Sequence, residues 1–192
     1  MFPLRLFDYL SSSKGKDTRT NARVIDVDFA GNLSREKSGF LYKLGEPPVR
    51  INLYGKREKA LPDYVNYIGG FEPDELPAVM NGDYGLVWDG ESIDSCVGNY
   101  GEYLKYNNPH KASLYIVAEK PLIVWKESAL ADYVTENKIG ITINSLKELE
   151  YLPDVESKEY LNMKKNIISL ANKLKVGDML KNTLAKVLNE II

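Results

Sequence analysis

Apolar residues fall into short runs separated by polar, Gly- or Pro-bearing breaks, and strand-like runs alternate with helix-like ones. Residues 25–30 read as a strand closed by Gly31-Asn32, and 34–44 as a short helix ending before Gly45-Glu46-Pro47-Pro48. Residues 49–54 and 64–68 predict two further strands, and Pro73-Asp74-Glu75-Leu76 suits the first turn of a helix running to Met80. A buried strand over 84–88 is followed by a polar, Gly-rich stretch over 89–108, too long for a plain connection and expected to be mobile or functional. Pro109 then opens a helix to about Ala118. After it come a strand over 121–125, a helix over 128–137, a strand over 140–143, and Ser145 capping 146–151.

Strands separated by helices need crossover connections, so the pattern predicts an α/β fold: a Rossmann-like, mostly parallel sheet with helices on both faces. Residues 157–192 carry the 3.6-residue period of terminal helices, with Leu161, Ile167, Ile168, Leu174, Leu180, Leu184, Val187 and Ile191 among their apolar positions. Residues 11–24 are polar and aperiodic, which predicts a mobile linker. The expected division is 1–24 as linker and docking segment, 25–155 as the main domain and 156–192 as helices packed on it. The apolar residues Phe2, Leu4, Leu6 and Phe7, together with the terminal helices, are expected to dock a partner, a second copy included.

Composition narrows the function. In a chain of 192 residues, 25 Lys and Arg nearly balance 27 Asp and Glu for a net charge of -2, so any phosphate site must be local rather than a global basic field. One cysteine and one histidine exclude an internal disulfide and a zinc site of structural spacing, and point to a reducing cytoplasm. The longest apolar runs, such as Leu122-Ile123-Val124-Trp125, are far shorter than the ~20 residues that span a bilayer.

Ligands of open parallel sheets bind beyond the carboxyl ends of the strands, which selects three junctions. In Phe29-Ala30-Gly31-Asn32-Leu33-Ser34, Gly31 permits close backbone approach and the amides that follow can point at an anion; the plainer alternative is a turn capped by Ser34. In Asn107-Asn108-Pro109-His110-Lys111-Ala112-Ser113 a cation and an imidazole meet a helix start that is already electropositive, which is chemistry for a diphosphate; the alternative is solvated surface. In Trp125-Lys126-Glu127-Ser128-Ala129 small residues would let amides approach a ligand; the alternative is Ser128 as an N-cap with Asp132 in the first turn.

Several motifs fail on chemistry. Ser13-Lys14-Gly15-Lys16-Asp17-Thr18 lacks the first Gly of a P-loop, and no Gly-x-Gly-x-x-Gly follows the first strand. Asp89, Glu91 and Asp94 miss the calcium-loop spacing and read as a solvated loop.

With the three junctions in view, the chain resembles the C-terminal half of bacterial sugar transferases of the glucosyltransferase-3 and β-1,6-galactofuranosyltransferase type, two-domain GT-B enzymes. The matching stretches are Asp28-Phe29-Ala30-Gly31-Asn32-Leu33-Ser34, Tyr84-Gly85-Leu86-Val87-Trp88-Asp89-Gly90, Tyr103-Leu104-Lys105-Tyr106-Asn107-Asn108-Pro109-His110-Lys111-Ala112-Ser113, and Pro121-Leu122-Ile123-Val124-Trp125 through Gly140-Ile141. The resemblance implies a UDP-sugar domain in which Lys111 faces the diphosphate as the catalytic cation. It puts Gly31 and Asn32 by the phosphates or sugar and Phe71 near the nucleotide, and has Ser128 and Ala129 present amides to the donor sugar. No metal is expected. The chain would then be the donor-binding half of a hexosyltransferase acting on a glycan or glycoprotein, inactive alone, in the cytoplasm or peripheral at the inner face of the membrane. The other reading is a non-catalytic nucleotide-sugar-binding or assembly subunit.

Three departures accompany the resemblance. Tyr106 and Leu114 stand where many such domains carry an E-x7-E pair, and Glu119 stands where a helix-ending Gly is common. The N-terminal acceptor domain of such enzymes is expected to lie outside this chain.

Overall fold

Every strand of the sheet is short and lies parallel to its neighbours. The computed structural model describes residues 6–13, 15, 24–57 and 60–191. In chain order the elements are β1 (Asp26–Ala30), β2 (Arg50–Tyr54), β3 (Val65–Gly69), α1 (Leu76–Val79), β4 (Tyr84–Val87), α2 (Gly98–Tyr103), α3 (His110–Val117), β5 (Leu122–Trp125), α4 (Ala131–Glu136), β6 (Gly140–Ile143), α5 (Lys158–Leu174) and α6 (Asp178–Ile191). The strand order is β3-β2-β1-β4-β5-β6, the doubly wound arrangement the pattern predicts. β4 and β5 are buried along their whole length, as a parallel sheet covered on both faces requires, whereas the edge strands β3 and β6 are partly exposed.

Helix α3 lies at the centre of the packing, with Ala112 through Val117 all buried. Gly85 on β4 makes room for it: a Cβ there would stand 2.3 Å from the Tyr115 ring. The Tyr115 hydroxyl in turn accepts the Ala30 N–H at 2.7 Å, tying the helix to the end of β1.

Four predicted elements differ, two of them through a hydrogen bond that reaches far along the chain. Residues 34–44 form only a 3-10 turn at Gly39–Tyr42, because the Lys37 carbonyl accepts from Gly90 and the Phe40 N–H donates to the Gly90 carbonyl instead of building a helix. The helix expected at 128 starts at Ala131, since the Ser128 amide bonds the Trp125 carbonyl and the Ala129 amide bonds that of Leu104. The helix expected over 73–80 is the single turn of α1, and the long stretch over 89–108 contains α2. The buried stripe of α5 runs through Tyr160, Met163, Ile167, Ala171 and Leu174, so Leu161 and Ile168 face outward. By contrast the Ser145 cap is as expected, with Glu148 completing a capping box.

The segment from Leu6 to Leu10, expected as part of a linker, packs on the domain itself. Leu6 is in the core, Ser113 of α3 donates to the Phe7 carbonyl at 2.6 Å, and the Asp8 carboxylate accepts the Met179 and Leu180 amides at the start of α6. Its ordering entropy is offset by these bonds to α3 and α6 and by the Tyr9 amide and hydroxyl, which donate to the Leu174 and Pro73 carbonyls. The docking residues Phe2 and Leu4 lie outside the described residues.

At the amino ends of the strands sits a buried polar cluster. Asp28 of β1 accepts from Asn52 at 3.1 Å and from the Gly82 amide at 2.8 Å, and Asn52 accepts from Asn66 at 3.0 Å. Burial raises the Asp28 carboxyl from 3.8 to about 6, against the opposing pull of Lys120. Burial likewise lowers Lys120 from 10.5 to about 8, and its ammonium has no hydrogen-bond partner among the described residues. Among the described residues no helix is long and apolar enough to cross a membrane.

Candidate functional site

Strand β1 pairs with β2 on one side and β4 on the other, so the chain direction of the crossovers reverses there, where a sheet of this order forms its ligand crevice; farther out the loops leaving β1 and β4 are joined by the Lys37–Gly90 and Phe40–Gly90 hydrogen bonds. The β1 loop is held from within. The Asn32 side chain accepts the Ser34 amide at 2.9 Å, and the Asn32 carbonyl accepts the Ser38 hydroxyl at 2.7 Å. Asn32, expected by the phosphates or sugar, therefore spends its side-chain oxygen on shaping the turn. Gly31 borders open space, the nearest atom to an added Cβ being on the Phe29 ring at 3.9 Å. Beside it Gly55, at φ +143, is the residue that cannot carry a Cβ, which would stand 2.0 Å from the Gly31 carbonyl oxygen.

Lys111, in the first turn of α3, reaches the same crevice but spends its donors inside the protein. Its ammonium donates to the Asp89 carboxylate at 2.7 Å and to the Trp88 carbonyl at 3.1 Å, and it lies 4.8 Å from the centre of the Phe29 ring. Both charged side chains are about nine-tenths buried. Burial lowers the Lys111 amine, with Asp89 opposing that shift and Lys37 adding to it. The expected diphosphate cation is thus the inner member of an ion pair, because Asp89, expected in a solvated loop, is buried at the end of β4. Glu91 and Asp94 do not join it; Asp94 pairs with Lys147 at 2.9 Å.

The other expected residues separate into groups. Asn108 is half-buried just before α3, whose N-cap Pro109 leaves the helix without a side-chain cap, so the first-turn amides can still meet an anion. His110 is exposed and stacks on Phe7, ring centres 4.7 Å apart and 11° from parallel, so it is engaged with the N-terminal segment. The Ser128 and Ala129 amides are both taken by backbone carbonyls and cannot be offered to a sugar; the Ser128 hydroxyl is buried without a partner. Phe71 follows the edge strand β3 and tilts against Tyr54, two strands away from β1.

Two neighbours were not singled out by the sequence. Lys37 sits in the loop joined to Gly90, with its ammonium 5.6 Å from the Tyr100 ring centre. Tyr100 is on α2, inside the stretch read as irregular. The only advance signal for Asp89 was its place directly after a fully apolar strand. Burial pushes the Cys96 thiol up to about 12, so it is packing rather than chemistry. Among the described residues no group of three or more His, Cys, Asp and Glu could hold a metal ion.

The family model described as "Glucosyltransferase 3-like, C-terminal domain" matches residues 27–187. The chain is 34% identical over 194 residues to the β-1,6-galactofuranosyltransferase WbbI of Escherichia coli (strain K12), covering 98% of this chain and 57% of that protein. It is 25% identical over 167 residues to glucosyltransferase 3 of Streptococcus gordonii, covering 85% of this chain and 48% of that protein. It thus spans about half the length of the curated relatives it matches. Among solved structures it shares its fold with half of Anabaena Alr3699/HepE, solved in complex with UDP-glucose, at TM-score 0.53 and 15% identity over 87% of this chain and 49% of that one. AviGT4, a glycosyltransferase involved in avilamycin A biosynthesis, matches at TM-score 0.53 and 17% identity over 88% of this chain and 52% of that one.

Proposed function

The chain belongs to the glucosyltransferase 3-like C-terminal domain family, and we propose that it is the donor-binding half of a UDP-sugar-dependent glycosyltransferase that moves a hexose, glucose or galactofuranose, to a glycan or glycoprotein acceptor. The observation that carries this reading is the crevice at the β1–β4 reversal. A glycine turn with open space above it stands there beside the uncapped start of α3, where a sheet of this order offers amides to phosphate.

In this reading the diphosphate lies over Gly31 and the first turn of α3. As the glycosidic bond breaks, charge gathers on the UDP leaving group, and dipoles and cations already in place stabilise it without a bound metal. Lys111 serves from below: paired to Asp89, it fixes the chain leaving β4 to the start of α3 so that the crevice is preformed. The group that takes the acceptor's proton belongs to the other half of the enzyme. We assign the half-exposed stripe of α6, Leu180, Leu184 and Leu188, to contact with that half. The protein's place is the cytoplasm or the inner face of the membrane, a setting that suits its free thiol.

Thermal unfolding of the purified chain with UDP, ADP and GDP tests the proposal. At a hundredfold excess over Kd, UDP should add ~2.7 kcal/mol, raising Tm by roughly 5–10 °C for a chain of this size. An equal rise with all three nucleotides, or none with UDP, rejects it.

A further inference from the structure

From α2 onward the chain winds so that every third residue falls in one row. The Leu104, Lys105 and Tyr106 amides donate to the carbonyls of Gly101, Glu102 and Tyr103, each bond spanning three residues, the 3-10 pattern in which side chains at i and i+3 line up. The rows differ in chemistry. Gly101 and Leu104 form the inner one: a Cβ at Gly101 would stand 2.5 Å from the Cys96 carbonyl carbon, Leu104 is buried, and its carbonyl accepts the Ala129 amide at 2.9 Å. Glu102 and Lys105 form a charged one, joined at 2.9 Å and extended to Glu127 at 3.3 Å. Tyr100, Tyr103 and Tyr106 form the third, and exposure rises along it, 40%, 59% and 82%. Among the described residues no aromatic ring stacks on these three and no group hydrogen-bonds their hydroxyls.

Resting on the donor-binding reading, we propose that Tyr100, Tyr103 and Tyr106 are a stacking row for the acceptor glycan, one sugar ring to each side chain. The row begins at the crevice: the Lys37 ammonium lies 5.6 Å from the Tyr100 ring centre, and the Lys37 carbonyl accepts the Gly90 amide where the β1 and β4 loops meet. From there it leads to more open surface, the path of a chain whose end sits at the donor and whose remainder extends into solvent. Backbone rise sets successive tyrosines roughly 4.5–6 Å apart along the axis, about one sugar unit. A sugar offers an apolar face of C–H groups edged by hydroxyls, and a tyrosine offers an apolar ring with a hydroxyl at its edge to pair with them. A protein partner, a second copy included, fits less well, because the Glu102, Lys105 and Glu127 ion pairs border the row, and the core of a protein interface is poor in charge. The inner row pins the platform to the chains leaving β4 and β5, so little of it must be ordered on binding.

The experiment is saturation-transfer NMR of the whole chain with glucose, maltotriose, galactotriose and chitotriose, beside sedimentation and thermal unfolding with UDP, ADP and GDP, for the wild type, Tyr103→Ala, Tyr106→Ala and Tyr106→Phe. Saturating the aromatic protons of the wild type should pass magnetisation to the C–H groups of at least one trisaccharide, and more strongly than to glucose. Each alanine variant should weaken that trisaccharide by about three- to tenfold, the worth of one stacked ring, while Tyr106→Phe stays within about twofold of the wild type. The free-protein Tm should hold within about a degree, since the replaced side chains are exposed, and the rise in Tm with UDP should be unchanged. Three results overturn the assignment: no transfer to any trisaccharide, transfer unchanged in the alanine variants, or a wild-type dimer that Tyr103→Ala dissociates. UDP-selective stabilisation in the same samples then leaves the donor-binding reading standing. Trisaccharide binding without UDP selectivity rejects the donor-binding reading, and the acceptor role of the row with it.

Discussion

Helix α3 has a buried lysine at each end, and the two are held in opposite ways. Lys111 in its first turn faces Asp89 across a 2.7 Å hydrogen bond and donates a second bond to the Trp88 carbonyl. Lys120, just beyond its last turn, faces Asp28 and Asp83 through space with no hydrogen bond to its ammonium among the described residues. The first arrangement fixes the chain leaving β4 to the start of α3, since both acceptors belong to that chain. The second faces the Asp28-Asn52 side-chain ladder, where the Asp28 carboxylate and not the ammonium holds the loop before β4 through the Gly82 amide. A buried charge orders structure when its donors are spent on named acceptors, and otherwise mainly sets the protonation of its neighbours.

The contrast can be broken at the crevice end first. Lys111→Met leaves the Asp89 carboxylate buried and unpaired, and should cost ~3–5 kcal/mol of stability in urea unfolding at pH 7. A loss below ~1 kcal/mol would mean the pair orders nothing. In the middle of the helix, Gly85→Ala drives a methyl group into the Tyr115 ring and endangers its bond to Ala30. Overpacking of that kind should cost ~1–3 kcal/mol, visible also as faster hydrogen exchange at the Ala30 amide. At the far end, Lys120→Met should change stability by no more than ~1 kcal/mol, because an ammonium without a hydrogen bond is removed and Asp28 takes up a proton instead. The double variant Asp28→Asn with Lys120→Met should be at least as stable as the wild type.

The smallest effect sharpens the comparison through pH. Native Asp28 keeps its proton up to about 6 while the unfolded chain loses it near 3.8, so its contribution to stability is full at low pH and is lost as pH rises through that window. Lys120 runs the other way: the native amine releases its proton at about 8 and the unfolded one near 10.5, so stability is regained as pH rises between them. Asp28→Asn should flatten the acid limb of a Tm profile in part, since burial also raises Asp26 and Asp83. Lys120→Met should flatten the alkaline limb. Unchanged slopes in both variants would remove these two groups from the account.

The family, the parallel sheet and the loops that flank the crevice were legible in the residues because they rest on local signals. The buried runs at β4 and β5 read as strands, Gly31-Asn32 closed β1, and Ser145 marked its own cap. The site was legible only as a place. Topology pointed to Gly31 and the start of α3 as candidates, but the partner of Lys111 was hidden in an acidic stretch that looked solvated, and Lys37 and Tyr100 lay in segments with no periodic pattern.

Sequence alone settled which segments extend, where they turn and which ends of the strands could hold an anion, since backbone preference and hydrophobic period act over a few residues. Tertiary structure decided which donors remain available. The Ala129 amide goes to Leu104, the Gly90 amide to Lys37 and the Lys111 ammonium to Asp89, each bond joining residues more than twenty positions apart. A buried polar group must find a partner somewhere, and which partner it finds depends on how the whole sheet brings its loops together.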